Sequence, residues 1–274
     1  MKIKLIYIII FFCFFCIFLS KETYNNFIGK KIDPKLERTR KLMKEYKDDL
    51  FYMCPGIDNS KYFYTTKDFP KLRLLERKAG VIREELKKVI NQFEKPGILF
   101  PMENLQEAWK NFWFMSGDSW NAENIKKCPQ TYKLLRSIGV KREALFALLK
   151  PGSNIHPHKG TGNYVIRCQL PLLNIPNNST SGIQCGPSPN KGEKRYHYKD
   201  KLIIFDDSNW HSAWNSSNLN RIVLIFDVRH PSLNEAQYQK CVHTHAKKME
   251  KVSNIIYDEF PETTKKTLES NIKN

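Results

Sequence analysis

Hydrophobic residues recur along this chain in two different patterns. In residues 72–94, apolar side chains return at helical spacing and charged side chains occupy the other face, which predicts an amphipathic helix that ends at Pro96-Gly97. Beyond Gly97, short apolar runs alternate with turn residues and predict strands over 144–150, 163–173, 181–186, 193–199, 201–206, 209–215 and 221–228. Many short antiparallel strands favour a mainly β fold of the jelly-roll kind.

The same pattern divides the chain into regions. Residues 1–20 hold an apolar run behind Lys2 and Lys4, which predicts a single-pass signal anchor with the body on the lumenal side of the endoplasmic reticulum membrane. A cleaved signal peptide, which would leave the body secreted, is the alternative. The remaining regions are a helical N-terminal region at 21–97, a β domain at 98–232, and a C-terminal helix with a polar tail at 233–274.

Charge and cysteine content narrow the classes of partner. The formal net charge is +17, but the lysines are scattered through predicted helices and the tail, so no nucleic-acid partner is expected. A lumenal body would make the sequons at Asn177, Asn178 and Asn215 glycosylation candidates. Five cysteines lie outside the N-terminal apolar run, so at most two disulfide bridges form and one thiol remains.

Histidines supply the first candidate chemistry. Five of the seven fall between residues 156 and 230. His156 and His158 are two apart and would share one face of an extended segment. His211 follows the strand predicted at 201–206, and a fold that places distant strands side by side can bring His158 and His211 to one metal ion. From spacing alone, metal ligands and hydrogen-bonded structural histidines remain equally good interpretations.

Two arginines add a second candidate feature. Arg167 follows His158 by nine residues, and Arg221 follows His211 by ten. An arginine at the mouth of an apolar strand is costly unless it meets an anion, and a guanidinium pairs bidentately with a carboxylate. Two histidines and two such arginines would suit a metal-chelating dicarboxylate. Ordinary arginines at the rim of a sheet are the alternative, an equally good interpretation for Arg167 and a weaker one for Arg221.

Four segments, in this order, resemble the aspartyl/asparaginyl β-hydroxylase family. They are HPHKGTGN at 156–163, LIIFDDS at 202–208, HSAWN at 211–215 and RIVLIFDVRHP at 221–231. The resemblance implies a double-stranded β-helix oxygenase that uses Fe(II), 2-oxoglutarate and O₂. It places the iron ligands on His158 and His211, with Gly160 where related oxygenases carry a third, carboxylate ligand.

The resemblance also assigns the cosubstrate contacts. Arg221 would pair with the distal carboxylate of 2-oxoglutarate, and Arg167 would lie near its metal-chelating end. Two departures stand out: Gln169 replaces a cosubstrate-binding histidine of the animal enzyme, and Ala147 replaces a serine. Gln169 can still donate a hydrogen bond, whereas Ala147 cannot. His156 replaces an aromatic residue and is expected to lie just outside the metal ligands.

The substrate is left open by the sequence. The resemblance implies hydroxylation of Asp or Asn side chains in peptides or proteins, including EGF-like domains, with release of succinate and CO₂. A relative with the same motifs hydroxylates a lipid acyl chain, and an N-terminal anchor with a basic surface would suit that alternative. A third alternative is a membrane-tethered binding module that has lost catalysis.

Overall fold

A computed structural model describes residues 51–94, 108–175 and 179–258. The predicted signal segment at 1–20 and the sequons at Asn177 and Asn178 lie outside these ranges. Within them, no helix is both long enough and apolar enough to cross a membrane. Cys54 and Cys241 are disulfide-bonded, whereas Cys128, Cys168 and Cys185 are buried free thiols.

Helices flank the strands, as predicted. The periodic segment near residue 80 forms α1 (Arg73–Val89), which buries Leu75, Ile82 and Leu86 and exposes its charged face. The described chain continues with α2 (Ala122–Lys127), α3 (Pro129–Ile138) and, after the last strand, α4 (Glu235–Asp258). Gly139 ends α3 in the left-handed conformation, with φ +75°, that glycine adopts without strain.

Eleven described strands form two antiparallel sheets. They are β1 (Phe63–Tyr64), β2 (Trp109–Ser116), β3 (Ser119–Trp120), β4 (Val140–Leu149), β5 (Ser153–His158), β6 (Val165–Leu173), β7 (Ser181–Ser188), β8 (Lys191–Tyr196), β9 (Ile203–Phe205), β10 (Trp210–Asn215) and β11 (Arg221–Arg229). The larger sheet has the order β1-β9-β6-β11-β4-β2-β3, and the smaller sheet the order β5-β10-β7-β8. From β4 to β11 the chain passes back and forth between the two sheets, so the predicted double-stranded β-helix is confirmed.

The two faces of the larger sheet bury different side chains. On β4 and β11, one set of alternate residues packs with α1 and α3 in the main core, including Phe146, Leu224 and Phe226. The other set forms a separate apolar cluster that includes Leu145, Val223 and Ile225. This second set faces the space between the sheets, because alternate side chains of a strand point to opposite faces. We call this surface the inner face.

One strand differs from the sequence expectation. The aromatic-rich segment before residue 117 forms strand β2, which the sequence did not predict as a strand. Helix α1 packs in the same hydrophobic core as the strands, and both belong to one compact unit among the described residues.

Candidate active site

His158 and His211 come together on the smaller sheet. They are register partners in the antiparallel pair β5–β10. Their ring centroids are 4.1 Å apart. The two sequence-predicted ligands, 53 positions apart in the chain, are therefore close enough to share one metal ion.

Both imidazoles are held in the same tautomer. Nδ1 of His158 lies 2.8 Å from the carbonyl oxygen of His156, and Nδ1 of His211 lies 3.0 Å from that of Asn209. A carbonyl oxygen can only accept, so each Nδ1 carries the hydrogen and each Nε2 carries the lone pair that a metal needs. Burial, together with the neighbouring His211, holds the pKa of His158 well below its usual range, and burial lowers the pKa of His211 to about 4.

The expectation that His156 and His158 share a face is wrong. The register of β5 shifts between them: His158 pairs with His211, but Ile155 pairs with Ala213. This bulge inserts one extra residue into β5, so the alternation of side chains is interrupted. The side chain of His156 is exposed, and its contribution to the site comes from its backbone carbonyl.

Asp207 occupies the space beside Gly160. A Cβ added to Gly160 would lie 2.6–2.7 Å from the three atoms of the Asp207 carboxyl group. The backbone N–H of Gly160 donates to the carbonyl oxygen of Asp207. Close packing therefore requires glycine at position 160. The carboxylate of Asp207, in the connection between β9 and β10, occupies the space where a side chain would lie. Sequence reasoning did not single out Asp207.

A buried ion-pair network surrounds that carboxylate. Arg142 donates to Asp207 at 2.8 Å and to Asp227 at 2.7 Å. Arg167 pairs bidentately with Asp227 at 2.9 and 3.1 Å and also binds Glu143. Burial alone would lower the pKa of both arginines, but the carboxylates, Asp227 foremost, raise it. Two cations and three carboxylates leave this network with an excess of one negative charge.

Arg221 is buried differently. It lies on β11 and is 2% exposed, and neither its Nε nor its Nη1 makes a hydrogen bond within residues 51–94, 108–175 and 179–258. Burial lowers the pKa of Arg221 to about 10. Native proteins rarely leave a buried cation without a partner, because the desolvation cost then has no compensation. Arg221 therefore has the properties of a receptor for an anion that the protein itself does not supply.

Gln169 has a partner that the sequence did not reveal. Nε2 of His197 lies 3.0 Å from Oε1 of Gln169, and Nδ1 lies 3.2 Å from Oγ of Ser181. Burial, and then the charge of Arg221, hold the pKa of His197 well below its usual range. The neutral ring of His197 donates a hydrogen bond through its Nε2 to Oε1 of Gln169. The side-chain amide nitrogen of Gln169 is therefore left to donate to another group.

Unsatisfied polar groups are concentrated at this site. In the part of the chain that the structure describes, buried side-chain atoms without a hydrogen-bond partner belong to Asn111, Asp207, Ser208 and Arg221. Asn111 and Arg221 lie on the inner face, and Asp207 lies beside Gly160. Buried orphan groups are uncommon in native structures and mark places where a ligand completes the hydrogen bonding.

Asn215 does not suit its predicted role as a glycosylation acceptor. Its side chain is fully buried. Its Nδ2 donates to three backbone carbonyls, those of Leu149, Lys150 and Leu219, at 2.8–3.1 Å. A glycan on Nδ2 would have to displace these bonds and the packing around them, so Asn215 is removed from the candidates.

Comparison with known families decides the classification. The model of the aspartyl/asparaginyl beta-hydroxylase family matches residues 76–231, more than half of the chain. The chain belongs to this family. The matched range contains both histidines, the arginine–carboxylate network and Arg221, and it begins within α1.

Two relatives of the family show different named substrates. The chain is 29% identical over 182 residues to an ornithine lipid ester-linked acyl 2-hydroxylase from Rhizobium tropici, covering 64% of this chain and 63% of the relative. It is 31% identical over 174 residues to the aspartyl/asparaginyl beta-hydroxylase of Mus musculus, covering 61% and 22%. The chain thus matches less than two thirds of either relative's length.

Solved structures with a similar fold are distant in sequence. A 2OG-Fe(II) oxygenase family oxidoreductase from Burkholderia pseudomallei is 12% identical, with a TM-score of 0.43, covering 68% of this chain and 97% of that one. A prolyl-4-hydroxylase from Pseudomonas putida is 14% identical, with a TM-score of 0.39, covering 62% and 94%.

Proposed function

We propose that this protein is an Fe(II)- and 2-oxoglutarate-dependent hydroxylase. The observation that carries the proposal is the buried guanidinium of Arg221 on the inner face, unpartnered among the described residues, in a fold that also brings together two imidazoles whose Nε2 atoms carry lone pairs. When bound, the iron, 2-oxoglutarate and O₂ supply oxidative decarboxylation to succinate and CO₂, coupled to hydroxylation of a C–H bond.

The residues of the chain fit this set of groups. His158 and His211 would hold the metal through Nε2, and two protein ligands leave open positions for a chelating 2-oxo acid and for O₂. Arg221 would bind the distal carboxylate and so set the direction in which the cosubstrate lies. Gln169, oriented by His197, offers a further amide donor at the same wall.

Asp207 compensates for the missing carboxylate ligand. Its Oδ1 is buried without a hydrogen-bond partner, while Oδ2 is bound by Arg142. With the negative excess of its network, Asp207 places anionic charge beside two neutral imidazoles, which favours a divalent cation there. The carboxylate thus contributes charge even though residue 160 has no side chain.

The charged side chains of the inner face indicate which class of substrate the site can bind. Arg142 and Arg167 are paired with carboxylates, and Arg221 is assigned to the cosubstrate. Apart from Asn111, the inner face near them is apolar, with Leu145, Ala147, Val223 and Ile225 packed against the half-buried Trp109 and Trp113. An aspartate side chain would thus meet no unpaired buried arginine among the described residues. This supports a lipid acyl chain as the substrate.

Asp or Asn side chains of a peptide or protein, EGF-like domains included, are the second candidate substrate. The name of the mouse relative supports this alternative, and the neutral carboxamide of asparagine is compatible with an apolar wall. The predicted signal anchor would hold the protein at the endoplasmic reticulum membrane in either case.

A succinate assay tests the proposal. The purified chain, supplied with Fe(II), ascorbate and 2-oxoglutarate, should release succinate in the presence of acyl lipids, and less or none with an Asp/Asn peptide panel. His211→Ala should reduce metal-dependent turnover to background, because one of two protein ligands is lost, whereas His156→Ala, at an exposed position, should retain it. Absence of both turnover and metal-dependent 2-oxoglutarate binding would leave the inactive binding module as the better interpretation.

A further inference from the structure

Asn111 is a buried amide without a partner in the part of the chain that the structure describes. It lies on β2 and is 2% exposed, and neither Nδ2 nor Oδ1 makes a hydrogen bond to a described residue. Its backbone N–H and C=O both pair with Glu94 at 2.8 Å, so its position in the strand is set by the main chain. A buried carboxamide without partners is costly, so this side chain indicates a polar ligand.

Strand register places Asn111 and Arg221 on the same face of the larger sheet, with β4 between their strands. Asn111 pairs with Ala147 between β2 and β4. Ala147 pairs with Val223 between β4 and β11, and Arg221 precedes Val223 by two residues on the same face. Ala147, the β4 residue opposite Asn111, contributes only a methyl group to the inner face, which leaves room for a ligand beside the amide.

We propose that Asn111 and Arg221 together bind the distal carboxylate of the cosubstrate, with Nδ2 of Asn111 donating one hydrogen bond and the guanidinium donating the others. This inference rests on the proposed function. A carboxylate accepts from several donors at once, and the amide adds a directed donor without adding charge. Oδ1 does not need the same ligand, because a water in a polar site can donate to it.

Asn111 should contribute to the selectivity of the site for 2-oxo acids with a distal carboxylate. An amide directed at the distal carboxylate discriminates between 2-oxoglutarate and 2-oxopentanoate, which has the same carbon chain but ends in a methyl group. An amide that acted on the metal-chelating end, or only on the fold, would affect the two acids equally. The ratio of their affinities therefore separates a binding role from a structural one.

Calorimetry on the full chain loaded with Mn(II) measures both affinities without turnover. Asn111→Leu should raise the Kd for 2-oxoglutarate about tenfold or more, the effect of losing one hydrogen bond to a charged group. The Kd for 2-oxopentanoate should stay within about twofold. Asn111→Asp, which replaces the amide donor with a carboxylate that repels the distal carboxylate, should weaken 2-oxoglutarate binding further. Lys110→Ala, the neighbouring change on β2, should leave both values unchanged.

The possible results are distinguishable. An unchanged Kd for 2-oxoglutarate in both Asn111 variants, or equal weakening of the two acids, would overturn the role of Asn111. If the wild-type chain bound no 2-oxoglutarate with Mn(II) present, the proposed function itself would fail, and this inference with it. Thermal unfolding of each variant identifies a misfolded protein, and the aspartate variant then provides the decisive comparison.

Discussion

At the scale of single residues, the site depends on groups whose size or partner is unusual. Gly160 is compatible with the fold because the carboxyl group of Asp207 fills the place of a side chain. Arg142 adopts a positive φ of 55°, which is uncommon for a residue with a side chain. From there it reaches both Asp207 and Asp227. Strain of this kind persists where surrounding bonds determine the conformation.

Gly160→Asp should fail to build a third metal ligand. Its Cβ would overlap the Asp207 carboxyl group, so Asp207 must move and its bond to Arg142 must break. We expect weaker Mn(II) binding and a lower free energy of unfolding, measured by calorimetry and urea titration. The double variant Gly160→Asp/Asp207→Gly relieves the overlap and is the control. Wild-type affinity and stability in the single variant would contradict this account.

Arg221→Met should separate stability from binding. Removing an unpaired buried cation eliminates its desolvation cost, so the ligand-free protein should gain about 1–3 kcal/mol in free energy of unfolding. The same variant should lose measurable 2-oxoglutarate binding. Urea titration and calorimetry provide the two values, with Arg229→Met at the other end of β11 as the control. A less stable Arg221→Met protein would show that the guanidinium already has compensating interactions.

At the scale of secondary-structure elements, tertiary contacts complete what local sequence leaves unfinished. The start of α3 has no side-chain cap of its own. Glu85, on α1, accepts hydrogen bonds from the backbone of Gln130 and Thr131 and from the Thr131 hydroxyl at 2.7–2.9 Å. A carboxylate at a helix N-terminus also interacts favourably with the helix dipole. Glu85 therefore joins two helices that cover the larger sheet.

Glu85→Ala should destabilise the protein clearly. The variant leaves donors of the α3 N-terminus buried without an acceptor, which should cost about 2–3 kcal/mol in free energy of unfolding. Glu84→Ala, one position earlier on the exposed face of α1, is the matched control and should change little. Urea titration of both variants is the measurement, and equal effects would show that the cap adds no stability.

At the scale of the whole molecule, location and acid sensitivity are testable without knowing the substrate. A lumenal body would carry glycans only where a sequon is accessible. Besides His158 and His211, the buried histidines His197 and His230 have lowered pKa values, for His230 about 4, with burial as the main cause. Glycan accessibility and histidine protonation both depend on the folded state of the whole domain.

Glycosidase treatment tests the lumenal orientation. In a cell that glycosylates secretory proteins, we expect a mobility shift that is lost in the double variant Asn177→Gln/Asn178→Gln. No glycan is expected on Asn215, because its Nδ2 is buried and hydrogen-bonded. An unshifted wild-type band would leave the lumenal body unsupported, and a glycan mapped to Asn215 by mass spectrometry would contradict the folded position of that residue.

Stability should fall in mild acid. With a folded pKa near 4 and an ordinary value of 6.5, His230 binds fewer protons in the folded state than in the unfolded state across that interval. The free energy of unfolding should therefore decrease as the pH is lowered from about 6.5 towards 4. Urea titrations at several pH values measure the slope, and His230→Gln should reduce it. A pH-independent free energy over this interval would refute the expectation.

The sequence by itself predicted the strand-rich architecture and the amphipathic α1, because residue periodicity is a local property of a chain. Spacing left the roles of His158, His211 and Arg221 open, and the resemblance of the ordered motifs to a known family assigned them. The missed strand β2 shows the limit, because its aromatic residues alternate between two buried environments and give no simple polar–apolar pattern.

Only the tertiary structure decided which side chains meet at the site. Asp207 beside Gly160, His197 bound to Gln169, and Asn111 across from Ala147 all depend on strand register between segments far apart in the chain. The bulge in β5 likewise turned His156 outward. A shift of one residue in register moves a side chain to the opposite face of a sheet, and no local pattern in this sequence encodes these registers.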